Sequence, residues 1–249
     1  TLGRTHWSDT NRVMLRNRRI GCSVSGIAQF ITNRGIDELR TWLEEGYDTI
    51  QDWDKEYSDW FAIPKSIKTT SVKPSGTVSL LAGATPGLHY PESRFYTRRI
   101  RLSVNSELVE PLKKAGYKIE PAFGSEESTL VVEIPVDVGE GIRTASELTI
   151  WEQFSIAAFL QRHWADNQVS CTVTFDPEKE GEQIPHVLNY YQYHLKGISL
   201  LPRHDYGAYK QMPYEAIEEK EYNKQVKKLG KLSFGVIKNE EADVDKFCN

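Results

Sequence analysis

Between about residue 128 and residue 201 the sequence alternates short β-branched runs with long amphipathic ones, and this alternation narrows the possible folds more than any other feature. Leu130 to Ile134 reads as a strand closed by Pro135. Ala145 to Trp164 follows, with Leu148, Trp151, Phe154, Ile156, Phe159 and Leu160 at helical intervals among polar positions. Ser170 to Phe175 is again strand-like, Ile184 to Leu195 helical, and Gly197 to Leu201 strand-like. Strands that recur after such helices predict parallel βαβ units with the helices outside a sheet or barrel, an α/β fold.

Upstream, Val72-Lys73-Pro74-Ser75-Gly76-Thr77-Val78-Ser79-Leu80-Leu81-Ala82-Gly83 reads as a strand end (Thr69 to Val72), a tight corner, and a small-residue run able to open a helix. The residues alone leave two readings open. In one, Ser75 or Thr77 simply caps a helix after a proline turn. In the other, the corner is an anion cradle: its first backbone N–H groups lack intrachain partners, and Gly76 lets a phosphate approach the main chain. Ser75, Thr77 and Ser79 then add hydroxyl donors and Lys73 a charge. The loop Ala84 to Glu92 leaves this corner, and its His89 and Glu92 are open to either a ligand or solvent.

Elsewhere, Asp9-Thr10-Asn11 precedes a basic helical run from Arg12 to Arg19, and Ile20 to Ala28 is small and apolar, suited to close packing, with Cys22 expected as a buried small residue. Ile36 to Tyr57 reads as an amphipathic helix or helix pair whose Leu39, Trp42, Leu43, Tyr47, Ile50 and Trp53 face a core. Arg94 to Leu102 is expected to be a strand with a basic face, Ser106 to Ala115 a helix stopped by Gly116, and Pro213 to Leu229 a charged helix. Cys171 is expected to be packed within its strand. Gly230 to Asn249 is polar and reads as a mobile tail, which leaves Cys248 exposed and the thiol best placed for a redox role.

A chain of 249 residues, 39% hydrophobic, can form one large domain or two small ones. Its net charge of −4 offers no footprint for duplex nucleic acid, so no direct DNA binding is expected, and any nucleotide belongs in a small site. No run reaches the ~18 apolar residues of a membrane span, and the start lacks the layout of a secretion signal. Three scattered cysteines fit neither a disulfide scaffold nor a zinc site, so no metal site is expected and a reducing, cytoplasmic setting fits best. Because it opens on Thr1 rather than Met, the chain is expected to begin within a longer protein.

The wording of several stretches goes beyond generic chemistry. Val72 to Arg94, with Gln161-Arg162-His163-Trp164-Ala165-Asp166-Asn167-Gln168-Val169-Ser170, Thr174-Phe175-Asp176-Pro177-Glu178 and Gln211-Met212-Pro213-Tyr214-Glu215, resembles the C-terminal part of the adenosylcobalamin-dependent ribonucleoside-triphosphate reductases, the monomeric class II ribonucleotide reductases. The resemblance runs through nearly the whole chain. It implies that residues 1–229 supply the C-terminal portion of a ten-stranded α/β barrel and that 230–249 form a flexible redox tail. It also implies that Ser75, Gly76, Thr77, Val78 and Ser79 seat the substrate's phosphates. In that family, adenosylcobalamin initiates a cysteine thiyl radical that takes the ribose 3′ hydrogen; the 2′ hydroxyl leaves as water, and a cysteine pair becomes a disulfide. Tail cysteines, here Cys248, reduce that disulfide and are reduced in turn by thioredoxin. Deoxynucleoside triphosphate effectors bind outside the present stretch.

Three departures limit the implication. The loop carrying the thiyl cysteine is absent, so neither Cys22 nor Cys171 inherits its role. The tail shows one cysteine where the family has a pair, and the effector-binding part is missing. The segment alone is therefore expected to be inactive. From the residues alone, a nucleotide-binding module without chemistry is the alternative.

Overall fold

A computed structural model describes residues 5–76, 78–203 and 210–233. In chain order the elements begin with α1 (Ser8–Asn17), β1 (Cys22–Ser23), α2 (Ile27–Arg34), α3 (Ile36–Trp60), β2 (Thr70–Ser71) and α4 (Val78–Leu81). They continue with β3 (Phe95–Ser103), α5 (Val109–Lys114), β4 (Lys118–Pro121), β5 (Thr129–Asp137) and α6 (Ile150–His163). The last are β6 (Thr172–Phe175), α7 (Pro177–Glu180), α8 (Ile184–Tyr191), β7 (Ser199–Pro202), β8 (Tyr214–Ala216) and α9 (Glu219–Val226). Among the described residues, no helix is long and apolar enough to cross a membrane.

The chain forms two compact units, one from the described residues up to 94 and from 138 to 203, the other from 95 to 137 and from 210 to 233. In the first unit every strand pairing is parallel. β1 pairs with β2, Val72 bridges to Val169, and β6 pairs with β7 in the register Thr172↔Ser199 to Phe175↔Pro202. Helices link these segments, as the sequence alternation requires of parallel neighbours. Ile150, Phe154 and Leu160 of α6 are fully buried with Val72, Val169, Val173 and Val187, and this cluster is the core of the unit.

Local chemistry explains why α6 starts where it does. Thr149 and Glu152 form a capping box, and Glu180 of α7 reaches back to accept the Ile150 N–H at 2.8 Å. In α3, Leu39 and Leu43 are buried while Tyr47 and Ile50 pack at the core's edge. Trp42 and Trp53, expected in the same stripe, are instead 62% and 47% exposed. The face that meets the core is narrower than the aromatic stripe. Trp42 meets Phe30 edge-on and Trp53 stacks on Tyr57. Cys22, expected to be buried, is exposed on the short β1, whereas Cys171 is buried as expected.

The second unit departs further from expectation. Its 4-stranded sheet, in the order β4-β5-β3-β8, is antiparallel throughout. The strand at 129–137 therefore does not belong to the parallel alternation; it returns against Phe95–Ser103. Pro135 does not close it. The pairing with β4 ends at Lys118↔Glu133, so Pro135 lies where β5 has become an edge and its missing N–H costs no ladder bond there. Residues 213–229, read as one helix, are a strand followed by a shorter helix, because Tyr214–Ala216 pairs with β3. The arginines of β3 do not form one basic face: Arg99 pairs with Glu133 at 2.9 Å and with Glu215, while its neighbour Arg98, on the other side of the strand, lies 4.3 Å over the Tyr214 ring.

Candidate functional site

The corner at 72–83 forms much as its residues predict. Thr69, Thr70, Ser71 and Val72 are buried in the parallel sheet; Lys73 and Pro74 then emerge at the surface, and α4 begins at Val78. Ser75 turns the chain with φ 42°, a left-handed backbone that costs a residue bearing a Cβ about 1 kcal/mol. Strain of that kind persists only where the surroundings impose it.

The surroundings are identifiable. Ser79 N–H donates to the Ser75 carbonyl at 3.2 Å, and the Ser79 hydroxyl donates to the same oxygen. Ser79 is buried and both its donors go to Ser75, so it closes the corner from within and, unlike the expectation from sequence, does not present its hydroxyl to an anion. Gly87 lies directly on the incoming arm, where a Cβ would stand 2.5 Å from the Lys73 carbonyl oxygen. The Lys73 N–H donates to Ser23 Oγ at 2.9 Å. These supports come from the Gly-Cys-Ser-Val-Ser-Gly run at 21–26 and from Thr-Pro-Gly at 85–87. Their glycines and serines were visible in the sequence, but their partner was not.

The outer side of the corner is open. Val78 is 70% exposed, and Lys73 is exposed as well. The opening N–H groups of a helix have no intrahelical acceptor, so this edge can offer directed donors to an anion. With one turn of helix the dipole is small, and the N–H groups themselves would do most of the binding. Thr77 and Cys248 lie outside the described residues.

His89 does not face outward as a ligand contact. Its Nδ1 lies 3.3 Å from the Pro86 carbonyl and its Nε2 accepts the Thr172 N–H at 3.2 Å, while burial pushes its pKa below the usual histidine value. Glu92 is exposed. Cys171 is inert as a nucleophile, since burial pushes its thiol up to about 12. Among the described residues, no group of three or more His, Cys, Asp or Glu side chains is placed to hold a metal ion.

No protein-family model matches the chain. Whole proteins do. An adenosylcobalamin-dependent ribonucleoside-triphosphate reductase of Euglena gracilis is 60% identical over 229 residues, covering 92% of this chain and 31% of that protein. A probable enzyme of the same name from Dictyostelium discoideum is 58% identical, over 100% of this chain and 33% of its own length. The chain thus spans about a third of the length of the curated relatives it matches. A crystal structure of a B-12 dependent (class II) ribonucleotide reductase superposes with a TM-score of 0.79 at 33% identity, covering 91% of this chain and 35% of that one. A class Id ribonucleotide reductase alpha subunit of Actinobacillus ureae shares the fold alone, with a TM-score of 0.53 at 14% identity over 78% of this chain and 40% of its own. The chain is therefore a homologue, over a segment about one third of their length, of the adenosylcobalamin-dependent ribonucleoside-triphosphate reductases.

Proposed function

We propose that this chain is the C-terminal part of a reductase that converts ribonucleoside triphosphates to 2′-deoxyribonucleoside triphosphates by radical chemistry. The observation that carries the reading is the 58–60% identity to named reductases across nine-tenths or more of the chain. In this reading the parallel segments β1, β2, β6 and β7 are a portion of a ten-stranded barrel, and the corner at Ser75, Gly76, Thr77, Val78 and Ser79 seats the substrate's phosphates. The left-handed Ser75 and the doubly bonded Ser79 support the second assignment, because they hold the corner's open edge in one conformation.

Adenosylcobalamin, when bound to the complete protein, would supply the radical. Cys248 would pass reducing equivalents from thioredoxin or a similar dithiol, and deoxynucleotide effectors would act elsewhere in the protein. The enzyme would work in the cytoplasm.

The test is deoxynucleoside triphosphate formation by the full-length protein, in the dark, from a ribonucleoside triphosphate and a dithiol, with and without adenosylcobalamin. Product that requires the cofactor is the expected result. Bound nucleotide with no product under either condition would reject the reading in favour of a module that binds without chemistry.

A further inference from the structure

We infer that Gln29 is a positioning residue for the substrate's phosphates, acting through the backbone of the arm that leaves the corner. The inference rests on the reading of residues 73–79 as a phosphate site.

Gln29 sits in the first turns of α2. Its Nε2 donates to the Gly83 carbonyl at 2.9 Å, and its Oε1 accepts the Thr85 N–H at 2.8 Å. A primary amide that donates and accepts two residues apart behaves as the peptide group of a neighbouring strand, so it fixes the direction of the arm as well as its distance. The start of α2 adds main-chain support. Gly26 N–H donates to the Thr85 carbonyl at 2.9 Å, Ile27 N–H to the Gly87 carbonyl at 3.3 Å, and Gly87 N–H to Ser25 Oγ at 3.3 Å.

The clamp reaches the corner through a short path. Ala84 N–H donates to the Ser79 carbonyl at 3.0 Å, and Ser79 N–H donates to the Ser75 carbonyl at 3.2 Å. Helix α4 has four residues, far below the ~12 at which an isolated helix becomes marginally stable, so tertiary bonds must impose the orientation of its N–H groups. Gln29 supplies two such bonds, reaching α4 through the arm at Gly83 and Thr85. It is partly exposed, and the adjacent Ile27 and Ala28, 2% and 0% exposed, do the packing for this part of α2.

The experiment uses the full-length protein and the variants Gln29→Met, which keeps the volume and removes both bonds, and Gly76→Val, which crowds the corner itself. Binding of inorganic triphosphate is measured by calorimetry, alongside KM and kcat for a ribonucleoside triphosphate and the melting temperature of each variant. The expected result for Gln29→Met is a five- to tenfold loss of triphosphate affinity and a matching rise in KM, with kcat within about twofold and melting little changed. A drop in kcat and melting temperature with KM and triphosphate affinity unchanged would make Gln29 merely structural and overturn the inference. Weakening by Gly76→Val but not by Gln29→Met would overturn it too, leaving the phosphate site standing. No triphosphate binding by the wild type, or no effect of either variant, would remove the phosphate reading and the inference together.

Discussion

The backbone N–H of Thr172 donates to Nε2 of His89 at 3.2 Å, tying the loop beyond the corner to the first residue of β6. Because Nε2 must be unprotonated to accept, the ring's proton sits on Nδ1, facing the Pro86 carbonyl. Burial lowers the pKa from the usual 6.5. A depressed folded value means that the neutral ring's stabilisation is fully present above about 6.5 and is lost as pH falls through the lower folded pKa. Amide exchange at Thr172, corrected for its intrinsic pH dependence, should show about fivefold more protection in wild type than in His89→Ala at pH 7.5. The two should converge on acidification, and a pH-independent ratio would reject the arrangement.

Gly87 and Gly83 separate two costs of adding a methyl group. Both have left-handed backbones, with φ 54° and 63°, but a Cβ at Gly83 meets nothing within 4 Å while one at Gly87 would sit 2.5 Å from the Lys73 carbonyl oxygen. Gly83→Ala should cost about 1 kcal/mol from the backbone alone. Gly87→Ala should cost ~2–4 kcal/mol, since the added clash is with main chain that cannot step aside. Denaturant unfolding of the paired variants checks this, and equal costs would show that the Gly87–Lys73 approach is looser than described.

The two described cysteines should differ in reactivity. Cys171 is 6% exposed and its thiol is pushed up to about 12, so almost none is thiolate at pH 8. Cys22 is exposed. Iodoacetamide followed by peptide mass spectrometry should find Cys22 modified at least ~10-fold faster than Cys171 under native conditions, with the difference gone in denaturant. Comparable native rates would mean that β6 opens readily.

What could be read in advance follows a physical divide. Spacing within one element gave α6 and α3, since Trp151 and Phe154, or Leu39 and Leu43, lie three or four residues apart and share a face by period alone. The corner was legible because Pro74 fixes its own φ while Ser75 and Gly76 are residues that turns favour. Strand direction was not legible: Leu130 to Ile134 carries the same β-branched signal whether its neighbour runs parallel or antiparallel, and only the pairing Ile100↔Val132 decides. Nor were partners far apart in sequence. Nothing local marks Gln29 as the clamp on Thr85, 56 residues away. The exposure of Cys22 and Trp42 likewise depends on what lies beside them, which neither residue encodes.

The start of α6 carries a charge-dependent cap whose pH response has a definite sign. Glu152 accepts from Arg143 Nη1 at 2.7 Å and from the Thr149 N–H at 2.8 Å, and these bonds, led by the one from Arg143, hold its carboxyl at about 2 against the usual 4.5. The folded pKa is depressed, so the stabilisation is fully present above about 4.5 and disappears as pH falls through about 2. The side chains of Arg143 and Glu152 are 48% and 40% exposed, so solvent screens the pair and its net worth stays below ~1 kcal/mol. Thr149→Ala removes the reciprocal half of the box and should cost about 1 kcal/mol at neutral pH. Glu152→Gln should instead cost little at pH 2 and progressively more toward pH 5, with the gap shrinking in 1 M salt. Amide exchange over Ile150 to Gln153 reads this locally, where carboxylates elsewhere in the chain contribute least. A wild-type advantage over Glu152→Gln that stays constant from pH 2 to pH 6 would show that neutral hydrogen bonding, rather than the carboxylate, caps the helix.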